Sequence, residues 1–74
     1  MNKYLVDEER LERDFTYHAP HGTQAARYEE IREGAKSFAR LLMGECPESR
    51  ELSTALSNLN ACVMWANASI ARNE

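Results

Sequence analysis

The sequence predicts an all-α fold: an antiparallel helical hairpin with a short N-terminal helix, assembling into a homo-oligomer. Three observations carry this expectation. Two long segments hold apolar residues at helical spacing, a short polar connector with one proline separates them, and no β-branched and aromatic residues alternate over a strand's length. So short a connector makes the two helices antiparallel neighbours.

The elements follow in order. Residues 5–14 read as a short helix, with Asp7 as its cap and Leu11 as its main apolar contact. Charge on most of its sides leaves it loosely held in an isolated chain. The first long helix is expected over about residues 23–45. Tyr28, Ile31, Ala35, Phe38 and Leu42 recur there at spacings of three and four, with Ala39 and Leu41 widening the stripe. Thr23 offers a hydroxyl to an unpaired first-turn amide, and Glu29 and Glu30 precede Lys36 and Arg40, the order the helix dipole favours. Gly34 sits mid-helix at a cost of about 1 kcal/mol relative to alanine, as a kink or a close approach would require. Gly44 and Cys46-Pro47 mark the exit. The second long helix is expected over about 49–72, capped by Ser49. Its seam of Leu52, Leu56, Leu59, Val63, Ala66 and Ile70 repeats at four-three-four-three-four and faces Ile31, Phe38 and Leu42.

A chain of 74 residues is short for a self-sufficient core, so disulfides, a metal or self-association must add to it. MNKYLVDEER turns charged before any apolar run develops, which argues against a secretory leader and for a reduced, cytosolic chain. Cys46 and Cys62 then act as small hydrophobes. His18 and His21 stand far from both cysteines, so no zinc site is read, and no cofactor is expected. Self-association remains. Ala55, Cys62, Met64, Trp65, Ala68 and Ala71 lie outside the seam, and Met64, Trp65 and Ala68 are the expected oligomer interface, Trp65 being the residue type most enriched at hot spots. The alternative is that the N-terminal segment folds back over this face. No apolar run reaches transmembrane length.

A net charge of −3 disfavours DNA or RNA polymers as partners but leaves room for a small anion held by local cations. No Gly-rich phosphate loop, nucleophile elbow or metal-spaced Cys/His set is present, so the chain is not expected to be an enzyme. The stretch FTYHAPHGTQ, residues 15–24, is the most suggestive feature. It ends at a helix N-terminus, where free amides favour anions; Gly22 admits a ligand close to the backbone, Tyr17 and His18 offer flat faces for a base, and Arg27 lies one turn on. On the residues alone a plain turn with Phe15 and Tyr17 as hydrophobic plugs is the preferred alternative. Arg32, Lys36 and Arg40 form a row on one helical face, and the preferred reading of such a row is a solvated salt-bridge face with Glu29 and Glu33. Antiparallel closure returns Arg72 toward the aromatic corner.

The motifs F-x-Y-H-x-P (Phe15, Tyr17, His18, Pro20), Q-x-x-R-Y-x-x-x-R (Gln24, Arg27, Tyr28, Arg32), C-P-x-S-R-E (46–51), A-L-x-x-L (Ala55, Leu56, Leu59) and the block from Val63 to Asn73 resemble a known family. This is the phage anti-CBASS cyclic-nucleotide sponge family, the anti-CBASS two group, whose hairpin is shared with an anti-Thoeris sponge. The resemblance covers about four-fifths of the chain and leaves out the residues before about 14. It implies a cytoplasmic homohexamer in the infected bacterial host that sequesters cyclic GMP-AMP and related cyclic di- and trinucleotides, blocking CBASS immunity without cleaving the messenger. It further implies ligand binding by Tyr17, His18 and Pro20, with Arg27, Arg32 and Lys36 as candidate cations, and a separate trinucleotide site where Arg72 is the candidate. The competing expectation is a helical interaction module that inhibits or bridges a host protein through the Trp65 face.

Overall fold

A computed structural model describes residues 7–74. Three helices follow one another, α1 (Glu8–Phe15), α2 (Gln24–Glu45) and α3 (Arg50–Asn73), and the described residues contain no strand. The fold is the expected all-helical hairpin. Residues 5 and 6 of the expected first helix lie outside the described residues, and α1 runs one residue further, to Phe15.

Local chemistry sets most of the helix ends. Asp7 accepts the Arg10 amide at 2.8 Å, and the Ser49 hydroxyl accepts the Leu52 amide at 3.1 Å while donating to the Pro47 carbonyl at 3.1 Å. Each cap satisfies a first-turn amide that the helix cannot. α2 stops at Glu45, where the extended Cys46 precedes Pro47. Thr23 departs from expectation. It occupies the cap position of α2 without a capping hydrogen bond, since its backbone (φ −89°, ψ 5°) is not in the extended conformation of a cap, and its hydroxyl accepts from Arg27 Nε at 3.1 Å. Gly22 turns the chain into α2 with φ of 57°, the left-handed conformation that glycine adopts without a Cβ clash. Gly34 answers to no packing demand, since a Cβ added there meets nothing within 4 Å.

α2 and α3 pair along a seam of half-buried residues: Ile31, Ala35, Ala39 and Leu42 against Leu52, Leu56, Leu59, Val63, Ala66 and Ile70. Two expected members of the α2 stripe are missing from it. Phe38 is 49% exposed and Leu41 is exposed as well. One partner helix covers only a narrow strip, and a straight helix drifts about 20° per heptad from a strict seam, so the strip passes through Ala35 and Ala39 and leaves Phe38 outside. Among the described residues no hydrophobic side chain is fully buried. Cys46 and Cys62 are free and exposed, so neither packs as a small core hydrophobe.

α1 lies against the last turns of α3, where Arg72 Nη1 stands 3.8 Å from Asp14 Oδ1. It does not cover the apolar face: Trp65 remains 70% exposed, Met64 is exposed, and Ala68 is half-buried. No described helix is long and apolar enough to cross a membrane.

Candidate ligand-binding site

The corner between α1 and α2 folds onto the end of α3, and a groove of about 530 Å³ opens there. This falls within the 300–1,000 Å³ of small-molecule sites. Tyr17, His18, Tyr28, Arg32, Asn67 and Arg72 line it. Four of these residues were singled out in the sequence, and they come from the corner, α2 and α3. Pro20, Arg27 and Lys36 do not line it.

The aromatic pair is differently held. His18 Nε2 lies 2.6 Å from the Arg13 carbonyl, and since a carbonyl only accepts, Nε2 carries the proton. That bond anchors the corner to the end of α1. Tyr17 is 84% exposed, its ring free to take up a ligand.

Asp14 organises the cations behind the groove. Arg10 Nε approaches its carboxylate at 3.5 Å, Arg13 Nε at 3.7 Å and Arg72 Nη1 at 3.8 Å. Three guanidinium groups thus gather around one carboxylate at this end of the hairpin. Lys36 pairs with Glu33 at 3.7 Å on the exposed face of α2, as a solvated charge row would. It stands beside Arg32 in a second, more apolar groove.

Arg27 is engaged elsewhere. Its guanidinium takes both oxygens of the Glu74 carboxylate, Nη1 donating to Oε2 at 2.9 Å and Nη2 to Oε1. Gln24 Nε2 donates to the same carboxylate at 3.3 Å, and Gln24 Oε1 accepts the His21 amide at 3.2 Å. The orientation of the amide is forced, because a carboxylate only accepts and a backbone N–H only donates. These bonds, led by the one from Arg27 and then that from Gln24, lower the Glu74 carboxyl from 4.5 to about 2 and raise Arg27. Gln24 is 2% exposed and is the buried residue of the described chain. The clamp joins the start of α2 to the end of α3 and fixes the Pro20-His21-Gly22 turn. Arg27 is therefore part of the scaffold beneath the corner rather than a free cation for a phosphate.

Sequence reasoning gave no role to Gln24, Glu74, Asp14 or Asn67. Gln24 and Arg27 stand one turn apart, a spacing that lets both side chains reach one partner. Nothing local announced Glu74, fifty residues away. Asn67 Oδ1 is buried in the groove wall without a hydrogen-bond partner among the described residues, unusual for an amide oxygen.

The Acb2/Tad1 hairpin domain family matches residues 7–71. The chain belongs to this family. The match takes in α1, the corner, α2 and nearly all of α3, and it is the family that the sequence motifs resembled, one of cyclic-nucleotide sponges. Neither a curated protein nor a solved structure matches the chain. Within the Acb2/Tad1 hairpin, the candidate groove lies at the open end, where the two long helices are closed by the Gln24–Arg27–Glu74 clamp.

Proposed function

We propose that this hairpin sequesters cyclic oligonucleotide second messengers, cyclic GMP-AMP and related cyclic di- and trinucleotides, and holds them without cleavage. The observation that carries the reading is the meeting of Tyr17 and His18 with Arg32 and Arg72 in one groove of an Acb2/Tad1 hairpin. A cyclic dinucleotide presents two bases and two phosphates. An exposed ring stacks a base for about 1–3 kcal/mol, and two arginines answer two phosphates. Arg72 is held to Asp14 only at 3.8 Å, so a phosphate competes with a weak internal contact. The groove offers these binding groups, and the sequence carries no nucleophile elbow or metal-spaced Cys/His set, which supports retention over chemistry.

The biological reading is an inhibitor of CBASS immunity made by a phage and acting in the cytoplasm of the infected bacterium, as a homohexamer. Withholding the messenger keeps it from its effector. The test is direct: the protein is mixed with cyclic GMP-AMP, freed of unbound ligand and digested. Intact messenger in the digest supports the proposal; degraded messenger makes the chain an enzyme, and none retained removes this ligand.

The exposed Trp65 favours a second reading, a module that inhibits or bridges a host protein through that face. Light scattering separates the two. A monomer with Trp65 accessible supports the host-partner reading, and a hexamer that retains messenger supports the sponge.

A further inference from the structure

Two arginines line the candidate groove, and they are not equally ready for an anion. Arg32 has no carboxylate partner among the described residues. Arg72 faces Asp14, whose Oδ1 stands 3.8 Å from Nη1, too long for a hydrogen bond but close enough for an ion pair. Asp14 itself lines the groove. A carboxylate placed beside the cations of a phosphate site repels the very ligand that they attract.

The surroundings of Asp14 show how such an arrangement works. Asp14 and Arg72 also line a second groove, of about 410 Å³, together with Arg10, Arg13 and Trp65, so the pair forms the boundary between the two. Arg10 Nε and Arg13 Nε, both on α1, lie 3.5 and 3.7 Å from the same carboxylate. Asp14 therefore keeps two cations of its own helix when Arg72 leaves it. Exchange of Asp14 for a phosphate costs Arg72 one long contact and strands no carboxylate without a partner.

We infer, on the sequestration reading of this groove, that Asp14 is an internal competitor for Arg72. It occupies the guanidinium until a ligand phosphate takes its place, and in doing so it holds the affinity of the site below what the two arginines could give. The empty groove is thereby self-neutralised at one of its two cations, and only the loaded groove uses both.

Calorimetric titration of the full chain with cyclic GMP-AMP tests this by a double-mutant cycle. Asp14→Asn keeps the size of the side chain and removes its charge; it should tighten binding roughly fivefold, the factor that release from one exposed ion pair supplies. Glu8→Gln makes the same change of charge on α1, at a residue outside the groove, and should leave affinity within about twofold. In an Arg72→Gln background, which binds more weakly, Asp14→Asn should add nothing, because the competition has lost its object. Asp14→Ser repeats the comparison with a smaller side chain, and helical circular dichroism checks that each variant is folded. Equal or weaker binding by both Asp14 variants overturns the inference. So does a gain that Glu8→Gln shares, or one that persists without Arg72. In each of those outcomes the wild-type chain still binds, so the sequestration reading stands; cyclic GMP-AMP held by neither wild type nor variants removes both.

Discussion

Truncating Gln24 to alanine tests how the open end of the hairpin is held. The substitution removes two hydrogen bonds, the one accepted from the His21 amide and the one donated to Glu74. At about 1 kcal/mol each these contribute about 2 kcal/mol. The one buried methylene that alanine lacks adds about 0.8 kcal/mol. Freeing the chain from an ordered glutamine returns about 1.5 kcal/mol of rotamer entropy. The net loss is about 1.3 kcal/mol. For a domain of this size, that corresponds to a fall in Tm of roughly 5–10 °C. The assay is thermal unfolding followed by circular dichroism, at equal protomer concentrations, because self-association makes Tm depend on concentration. Gln24→Glu sharpens it by placing one carboxylate against another: the variant should be less stable than Gln24→Ala at neutral pH and regain stability in acid. A fall below about 2 °C for Gln24→Ala, or a Gln24→Glu variant as stable as wild type, would refute the clamp.

Three further outcomes are expected. Glu74 has a folded value of about 2 against 4.5; a depressed carboxyl stabilises fully above about 4.5 and loses that contribution as the pH falls toward about 2. Tm should therefore drop more steeply over that window in wild type than in Glu74→Gln, and parallel curves would contradict the assignment. Gly34→Ala should raise stability by about 0.4–1 kcal/mol, since the site is helical and open; a fall in Tm would mean that another chain approaches there. Tyr17→Ala should weaken cyclic-dinucleotide binding roughly 5- to 150-fold by calorimetry, whereas Arg27→Ala should act mainly on Tm; the reverse pattern would place the phosphate at Arg27.

The helix order and the antiparallel closure were legible because they rest on local signals. Asp7, Ser49 and the Cys46-Pro47 exit act within a few residues of themselves, and periodicity over twenty residues leaves little ambiguity of type. Thr23 misled because its backbone is not extended as a cap's is, a conformation that residue type alone does not announce. Phe38 and Leu41 misled because periodicity identifies a broad apolar face, while a single partner helix covers only part of it. The groove was half legible. Tyr17, His18, Arg32 and Arg72 were singled out separately by residue type, and the turn geometry decides which of them meet. Glu74 was the hardest to foresee, since its partnership with Arg27 and Gln24 depends on how α2 and α3 are aligned across the whole hairpin.

The absence, among the described residues, of a fully buried hydrophobic side chain alters what mutational tolerance means for this protein. In an ordinary globular domain, substitutions inside are punished and those outside are forgiven. Here every apolar side chain of the described chain keeps some face to the outside. Surface tolerance then becomes a map of contacts beyond the chain. A scan of Phe15, Phe38, Met43, Met64 and Trp65 should divide these residues into those that merely sit in solvent and those that another molecule requires.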